Sequence, residues 1–290
     1  MSITKYKKLF IGIAIAMSLC SLFLIAHYGI KPGIDFTGGT VLEVSYDKED
    51  VLAKNRIAIE ERGVTVYDLG NKRYKIVGTE GYDIMVSELK GFLSNASSTY
   101  KQEGVTAIGP SLGKEMKQKA LIAIGLACLA ILAFIAFTFR KVSEPVSSWK
   151  YGLASLVTLL HDILIPTGMY AYLSYYYGAE VDTLFIVSLL TILGVSISDK
   201  IVVFDRIREN LKDNNKKKDF EAIVDKSLRQ TFTRSINTSF TVVLALAVLA
   251  IYGPKATVFF SITLIAGMIV GTYSSIFVAS NLLTYFTKKK

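Results

Sequence analysis

Two ionisable residues, His161 and Asp162, stand side by side in an apolar run that is long enough to cross a bilayer. Charged groups in such runs are costly to bury, so they mark candidate sites of ion or proton transfer. Pro166 follows four residues later. Because proline has no N–H, the carbonyl of Asp162 loses its helical hydrogen bond. The pattern predicts a polar spot that serves either proton transfer or a helix kink with a buried hydrogen-bonded pair.

The next apolar run carries a second acid, Asp199, with Ser196 one turn earlier on the same helical face. Lys200 follows directly and points about 100° away, so it cannot pair with Asp199 across a turn. Its cation either changes the proton affinity of Asp199 or extends to the membrane surface. Apolar residues continue at 201–204, which favours a carboxylate inside the membrane over a solvated helix end.

A polar stripe leads into the fifth apolar run. Its residues recur at spacings of three and four and therefore share one helical face. They are Ser227, Thr231, Arg234, Thr238 and Thr241, with Asn237 close to that face. The arginine needs an acidic partner, and Asp199 is the nearest candidate in the sequence. A carboxylate beside an arginine can be held ionised or become protonated, which is the chemistry of a proton relay and equally of a static ion pair.

Small residues recur every four positions in the last apolar run, at Thr263, Gly267, Gly271, Ser275 and Ala279. This spacing lets two helices approach closely, so Gly267, Gly271 and Ser275 predict a packing seam. The sequence has only two cysteines and two histidines and lacks a phosphate-binding loop or a nucleophile–base arrangement. We therefore expect no metal, no cofactor and no enzymatic activity.

Six apolar runs must position these residues. Hydrophobic residues make up 51% of the chain and charged residues 20%, and the two kinds are segregated along it. Each run is about long enough to cross a membrane as a helix. The runs are roughly Leu9–Tyr28, Ala120–Phe139, Tyr151–Leu173, Thr183–Val203, Asn237–Tyr252 and Ala256–Phe286. The first lacks a cleavage site and predicts a retained anchor.

The placement of Lys and Arg predicts the orientation. The net charge of +9 is concentrated in short segments next to apolar runs, while the loops at 174–182 and 253–255 carry a single cation between them. The positive-inside rule then puts both termini in the cytoplasm, in a multi-pass protein of the cytoplasmic (inner) membrane. Since this rule accounts for the charge, we expect no nucleic-acid partner.

The segment between the first two runs predicts a separate domain on the outer side. Its patterns favour strands at about 40–46, 64–69, 73–77 and 105–108 and helices at about 49–62 and 82–100. This β-α-β-β-α-β order is ferredoxin-like. The predicted fold is an all-α six-helix membrane bundle with an inserted α+β extracytoplasmic domain. Its segments are 1–29, 30–118 and 119–290, the last with a basic cytoplasmic loop at 204–235.

Several longer motifs resemble one family over essentially the whole chain. They are Gly33-Ile34-Asp35-Phe36-Thr37-Gly38-Gly39, Gly109-Pro110-Ser111-Leu112-Gly113, His161-Asp162 and the run from Ser196 to Asn210. Together they are similar to the SecF family of bacterial protein-export subunits, in the resistance-nodulation-division superfamily. The bundle would then be half of a transporter of that superfamily.

The resemblance implies partners and a mechanism. SecF pairs with SecD, and often YajC, beside the SecYEG channel, and uses the proton-motive force to assist translocation of unfolded preproteins. It implies that Asp199 and Arg234 handle the proton and that the external domain changes position. Ser198 and Lys200 depart from the family's usual Asn and Thr, which leaves the relay geometry open. The glycine motifs at 33–39 and 109–113, which include Gly33, Asp35, Gly38, Gly39, Gly109, Pro110 and Gly113, are either hinges or tight turns in a rigid join.

Two other functions stay open at this point. A half of a small-molecule or lipid transporter of the same superfamily would need a substrate pocket and a second six-helix half. A non-conducting scaffold of the translocon would contact membrane lipid and partners but would tolerate replacement of Asp199.

Overall fold

Six helices are long and apolar enough to cross a membrane, with mean hydropathy between 1.4 and 2.9 in their most apolar windows. The computed structural model describes residues 3–46, 51–61, 63–78, 93, 100–138, 146–213 and 219–286. In chain order the helices are α1 (Lys7–Tyr28), α2 (Ile34–Thr37), α3 (Val51–Glu60), α4 (Pro110–Thr138), α5 (Ser148–Tyr177), α6 (Thr183–Asp213), α7 (Phe220–Tyr252), α8 (Val258–Tyr273) and α9 (Ser280–Tyr285). A π-helical segment, Ser274–Ala279, joins α8 to α9. The predicted six-helix membrane fold is confirmed.

Contacts divide the chain into two units. The helical unit contains Met1–Ile30, Ile122–Ala179 and Thr183–Lys290, and the inserted unit contains Lys31–Leu121 and Glu180–Asp182. The inserted unit thus includes three residues from the connection between α5 and α6. The sequence did not predict that these residues belong to the inserted unit.

The segment predicted as a basic loop at 204–235 is mostly helical, because α6 extends into it and α7 begins within it. Its apolar residues explain the difference. Phe204 and Ile207 on α6 and Val224 and Leu228 on α7 are all fully buried in the core of the helical unit. The two helix ends therefore pack on each other and leave their basic residues partly or fully exposed. The fifth membrane helix thus begins well before the predicted Asn237.

The inserted domain contains a four-stranded antiparallel sheet. Its strands are β1 (Gly39–Tyr46), β2 (Thr65–Gly70), β3 (Arg73–Gly78) and β4 (Tyr100–Ile108), in the order β2-β3-β1-β4. That order agrees with the ferredoxin-like prediction. The last strand is longer than predicted, and most of the second predicted helix, at 82–100, lies outside the described residues.

A tight turn joins β2 to β3. Gly70, Asn71 and Lys72 all have positive φ, at 72°, 55° and 56°. Glycine and asparagine tolerate this left-handed region, so their choice at these positions is explained.

The three residues between α5 and α6 are held in the inserted domain by their backbone. Val181 donates its N–H to the Lys31 carbonyl at 2.9 Å and accepts from the Gly33 N–H at 2.7 Å. Lys75 on β3 forms a 3.0 Å ion pair with Glu180. Burial and the Glu180 carboxylate also raise the pKa of Tyr67 to about 12.

Glycines of the two motifs contact each other where the chain enters and leaves the inserted domain. Gly38 has φ +76°, and a Cβ there would lie 2.7 Å from the Cα of Pro110. A Cβ on Gly113 would lie 2.7 Å from the backbone nitrogen of Gly38, and one on Gly39 would lie 2.5 Å from the Gly78 carbonyl oxygen. These contacts favour the tight join; hinge motion at the motifs stays a prediction.

Substituting alanine at Gly113 tests this packing. The added methyl meets only backbone atoms, which cannot rotate away, so we expect Gly113→Ala to destabilise the chain by about 1–3 kcal/mol. Gly109→Ala is the matched control, because a Cβ there meets nothing within 4 Å. Thermal unfolding of the detergent-purified chain measures both, and equal midpoints for the two variants would contradict the close contact.

Candidate functional site

One carboxylate sits at the centre of the helical unit, where α5, α6 and the π-helical segment meet. Asp162 is fully buried. Its Oδ2 accepts hydrogen bonds from Ser196 Oγ at 2.5 Å, Lys200 Nζ at 2.6 Å and Ser274 Oγ at 2.8 Å. Its Oδ1 lies 3.0 Å from His161 Nδ1. Both oxygens of this carboxylate therefore have polar partners, which a buried charge requires.

Lys200 supplies the positive charge. Its side chain has no exposed surface, and it forms the ion pair with Asp162 at 2.6 Å. The same ammonium donates to Ser196 Oγ, one turn back on α6, at 2.5 Å. The interpretation that Lys200 extends to the membrane surface is therefore wrong, whereas its inability to pair with Asp199 agrees with the helical geometry.

The π-helical segment delivers two neighbouring serines to this region. Ser274 donates to Asp162, and Ser275, equally buried, donates to the Gly271 carbonyl at 2.7 Å. A π-helix inserts an extra residue into a turn, so it shifts the faces of the helix that follow it. Such segments occur often at functional sites.

Gly267 and Gly271 let α8 approach α6 closely enough for those contacts. A Cβ on Gly267 would lie 2.2 Å from Ile192 Cδ1, and one on Gly271 would lie 3.2 Å from Ser196 Oγ. The packing seam therefore faces the turn of α6 that precedes the two charged residues.

The second carboxylate, Asp199, has a different environment although it precedes Lys200 in the chain. Its Oδ1 accepts from Ser235 Oγ on α7 at 2.5 Å. Its Oδ2 is buried and forms no hydrogen bond of good geometry, although the Ser275 hydroxyl is close enough to interact with the carboxylate. The carboxylate lines a small pocket between α6, α7 and α8, with a cavity volume of about 10 Å³. Ser196 also lines this pocket, so one hydroxyl borders the pocket and contacts Asp162.

Arg234 does not form the expected ion pair. No contact within 4.0 Å joins it to Asp199, which is bonded instead to the next residue of α7, Ser235. Arg234 lies on the exposed side of α7. The nearest acid in the sequence was therefore not its partner, because two neighbouring helices can meet through several pairs of faces.

The polar stripe on α7 changes environment along its length. Ser227 and Thr231 are buried, and Ser227 accepts from Asn210 Nδ2 at 2.9 Å. The later members Arg234, Asn237, Thr238 and Thr241 are exposed. A polar face thus points away from the chain at the depth of the apolar run.

The arrangement can hold one acid ionised and leave another available. The Asp162 charge is matched by Lys200 and by two serine hydroxyl donors, whereas Asp199 keeps one oxygen without a hydrogen bond of good geometry. Across the ranges that the structure describes, no group of three or more His, Cys, Asp or Glu could hold a metal ion. The contacts therefore offer protonation of a carboxylate as the available chemistry.

Three participants were missed from the sequence: Lys200 as a counter-ion, Ser274 and Ser235. The spacing of Ser196 and Lys200 by four residues was a usable signal, since it places both on one face. Ser274 had no such signal, because its position depends on the π-helical segment.

Separating the charges of the buried pair tests its role. Asp162→Asn leaves Lys200 buried without an anion, so we expect a loss of about 3–5 kcal/mol. Adding Lys200→Met should recover most of that loss, since no charge then remains buried. The exposed pair Glu115–Lys119, 2.7 Å apart, gives the control: Glu115→Gln should change stability by less than about 1 kcal/mol. A double variant less stable than Asp162→Asn, by thermal unfolding, would contradict the pairing.

The chain is similar to known proteins both in sequence and in fold. The family described as "Protein export membrane protein SecD/SecF, C-terminal" matches residues 88–289, and the "SecD/SecF GG Motif" matches residues 23–50. The chain is 35% identical to the protein translocase subunit SecF of Thermobaculum terrenum, over 99% of this chain and 94% of the relative. It is 37% identical to SecF of Sebaldella termitidis, over 92% of this chain and 85% of the relative.

Solved structures match the fold over the same length. The crystal structure of SecDF, a translocon-associated membrane protein from Thermus thermophilus, matches 99% of this chain with 28% identity and a TM-score of 0.83. SecDF in a super-membrane-facing form matches with 27% identity and a TM-score of 0.69. The chain spans only 38% of the length of each SecDF chain.

Proposed function

This chain belongs to the SecF family of protein-translocase subunits, and from that premise we propose that it uses the proton-motive force, together with SecD, to assist protein export. The family membership carries the accessory role in Sec-dependent export. The coupling ion, the residues that handle it and the wider set of partners are the proposal.

Asp199 is the proposed proton carrier, and the observation that carries this choice is its buried oxygen, which forms no hydrogen bond of good geometry, in a carboxylate that lines a pocket. Asp162 is the other intramembrane acid of the described helices, but Lys200 already neutralises it. Lys200 and Arg234 act on Asp199 only from a distance, and a desolvated acid without a direct ion pair gains more from binding a proton. One charge that crosses about 100 mV supplies roughly 2.3 kcal/mol, enough to shift a two-state equilibrium roughly fortyfold.

SecD is the proposed cover for the exposed polar face of α7. Arg234, Asn237, Thr238 and Thr241 would be costly to leave in hydrocarbon, so another polar helix must face them. The matched SecDF chains are more than twice as long as this one, which leaves room for a second bundle in the complex. Arg234 then finds its acidic partner on SecD rather than on Asp199.

The remaining assignments follow the distribution of charge. Both termini lie in the cytoplasm, the inserted domain lies outside the cytoplasmic membrane, and the complex acts beside SecYEG, with YajC as a further partner. The translocating preprotein is its cargo. The pocket beside Asp199, at about 10 Å³, is too small for a small-molecule substrate, which disfavours the small-molecule transporter among the alternatives.

Replacing Asp199 separates the proton-driven function from the scaffold. We expect Asp199→Asn to abolish gradient-dependent stimulation of preprotein export in membrane vesicles that contain SecYEG and SecD, while SecD still co-purifies. Asp205→Asn is the matched control on the same helix, because its carboxylate is 62% exposed and pairs only at the surface with Arg208. It should keep full stimulation.

The outcomes distinguish the two functions. Equal stimulation with Asp199→Asn and the natural chain would favour the scaffold. Loss of stimulation in both variants would show that the assay reports helix damage rather than proton handling.

The partner surface can be mapped by cross-linking. With Cys20 and Cys128 replaced by serine, Thr241→Cys labelled with a cysteine-reactive benzophenone should form a covalent adduct with SecD on illumination. Leu126→Cys on α4, where the natural residue is 61% exposed, should react mainly with lipid. An adduct from position 126 but none from position 241 would contradict the proposed interface.

A further inference from the structure

The side-chain nitrogen of Lys200 contacts two buried oxygens, and a third oxygen adjoins them; we call these oxygens of Asp162, Ser196 and Ser274 the cage. Its Nζ lies 2.6 Å from Asp162 Oδ2 and 2.5 Å from Ser196 Oγ. Ser274 Oγ joins the same Asp162 oxygen at 2.8 Å. The carboxylate and both serines belong to three different segments, α5, α6 and the π-helical segment, and all are buried. The cage is therefore a built feature of the bundle core.

Its chemistry is that of a site for a small monovalent cation. One carboxylate gives a single negative charge, and the hydroxyl oxygens give neutral ligands, as hard cations prefer. The Nζ–oxygen distances fall near the range of about 2.3–2.6 Å that calcium, an ion close to sodium in size, makes with oxygen. A single positive charge of that size balances the cage, whereas a divalent ion would leave an unmatched charge in the core.

We propose that this cage is an alkali-cation site that the Lys200 ammonium fills permanently. Lys200 lies on α6, one turn beyond Ser196, and its side chain reaches the cage from there. A cation that is covalently attached to the chain thus takes the place of a free ion. A tethered cation cannot exchange with either side of the membrane. The exchangeable ion of the transport cycle is then confined to Asp199, on the other side of α6.

Truncating the lysine tests the proposal by binding rather than by export. The purified Lys200→Ala chain is heated in NaCl, KCl or choline chloride at one ionic strength and pH. Choline is too large for the cage and serves as the salt control. The natural chain should unfold at the same temperature in all three salts, because its cage is occupied.

Lys200→Ala should respond to the small cations. We expect its unfolding temperature to rise on the order of 5 °C in NaCl or KCl, relative to choline chloride, at a concentration about 100 times the dissociation constant. The double variant Asp162→Asn/Lys200→Ala lacks the anionic ligand and should show no such rise. Binding of radioactive sodium by Lys200→Ala, close to one ion per chain and absent from the double variant, is the matching direct readout.

Each other outcome overturns the proposal. Equal unfolding temperatures of Lys200→Ala in alkali and choline salts would show that the cage does not hold a cation. Failure of Lys200→Ala to fold in NaCl would do the same, because a sodium-filled cage predicts a folded chain. Since neither measurement involves export, the site and the proposed proton-driven function can fail independently.

Discussion

One buried ion pair, between Asp162 and Lys200, constrains the helical unit. Taking a carboxylate and an ammonium out of water costs several kcal/mol per ion, and their attraction offsets this only with good geometry and further hydrogen bonds. The structure supplies both, since Asp162 and Lys200 lie 2.6 Å apart and serines from two segments complete the shell. Those serines need close helices, which the glycines of α8 permit. They also need the π-helical segment, which turns Ser274 inward. The packing seam and the helix irregularity thus follow from the requirements of one buried pair.

The pair also explains why two consecutive residues of α6 serve opposite purposes. Neighbours on a helix point about 100° apart, so Asp199 and Lys200 face different neighbours. Lys200 faces α5 and neutralises the buried charge of Asp162. Asp199 faces α7 and keeps an oxygen without a hydrogen bond of good geometry. The proposed proton transfer at Asp199 would gain from this division, because a second free acid nearby would compete for the proton. Ser196 borders both environments, since it donates to Asp162 and lines the pocket at Asp199.

Much of the fold could be predicted from the sequence, and less of the site. Apolar runs and alternating strands are local patterns, and they predicted the six membrane helices and the sheet order. The intramembrane acids were also identified, because ionisable residues stand out within apolar runs. The ion pairs between helices were not predicted correctly. Arg234 was matched to Asp199 because the two are close in sequence, and Asp162 was missed as the partner of Lys200. Such contacts depend on how helices rotate against each other, which no local pattern records. The surface charge at the end of α6 and the start of α7 led to the prediction of a loop, although the apolar face of each helix continues through that segment.

The environment of α7 indicates where the proposed proton coupling would act on a partner. Its early polar residues find partners within the chain, yet the later ones, from Arg234 to Thr241, face outward. Hydrogen bonds between membrane helices stabilise association only modestly, whereas an arginine left in lipid is costly. A partner helix is therefore needed more to remove that cost than to add attraction. Asp199 accepts a hydrogen bond from Ser235, which directly follows Arg234, the first residue of this exposed face. A change in the proton occupancy of Asp199 would thus reach the partner surface directly, without passing through the locked pair in the core.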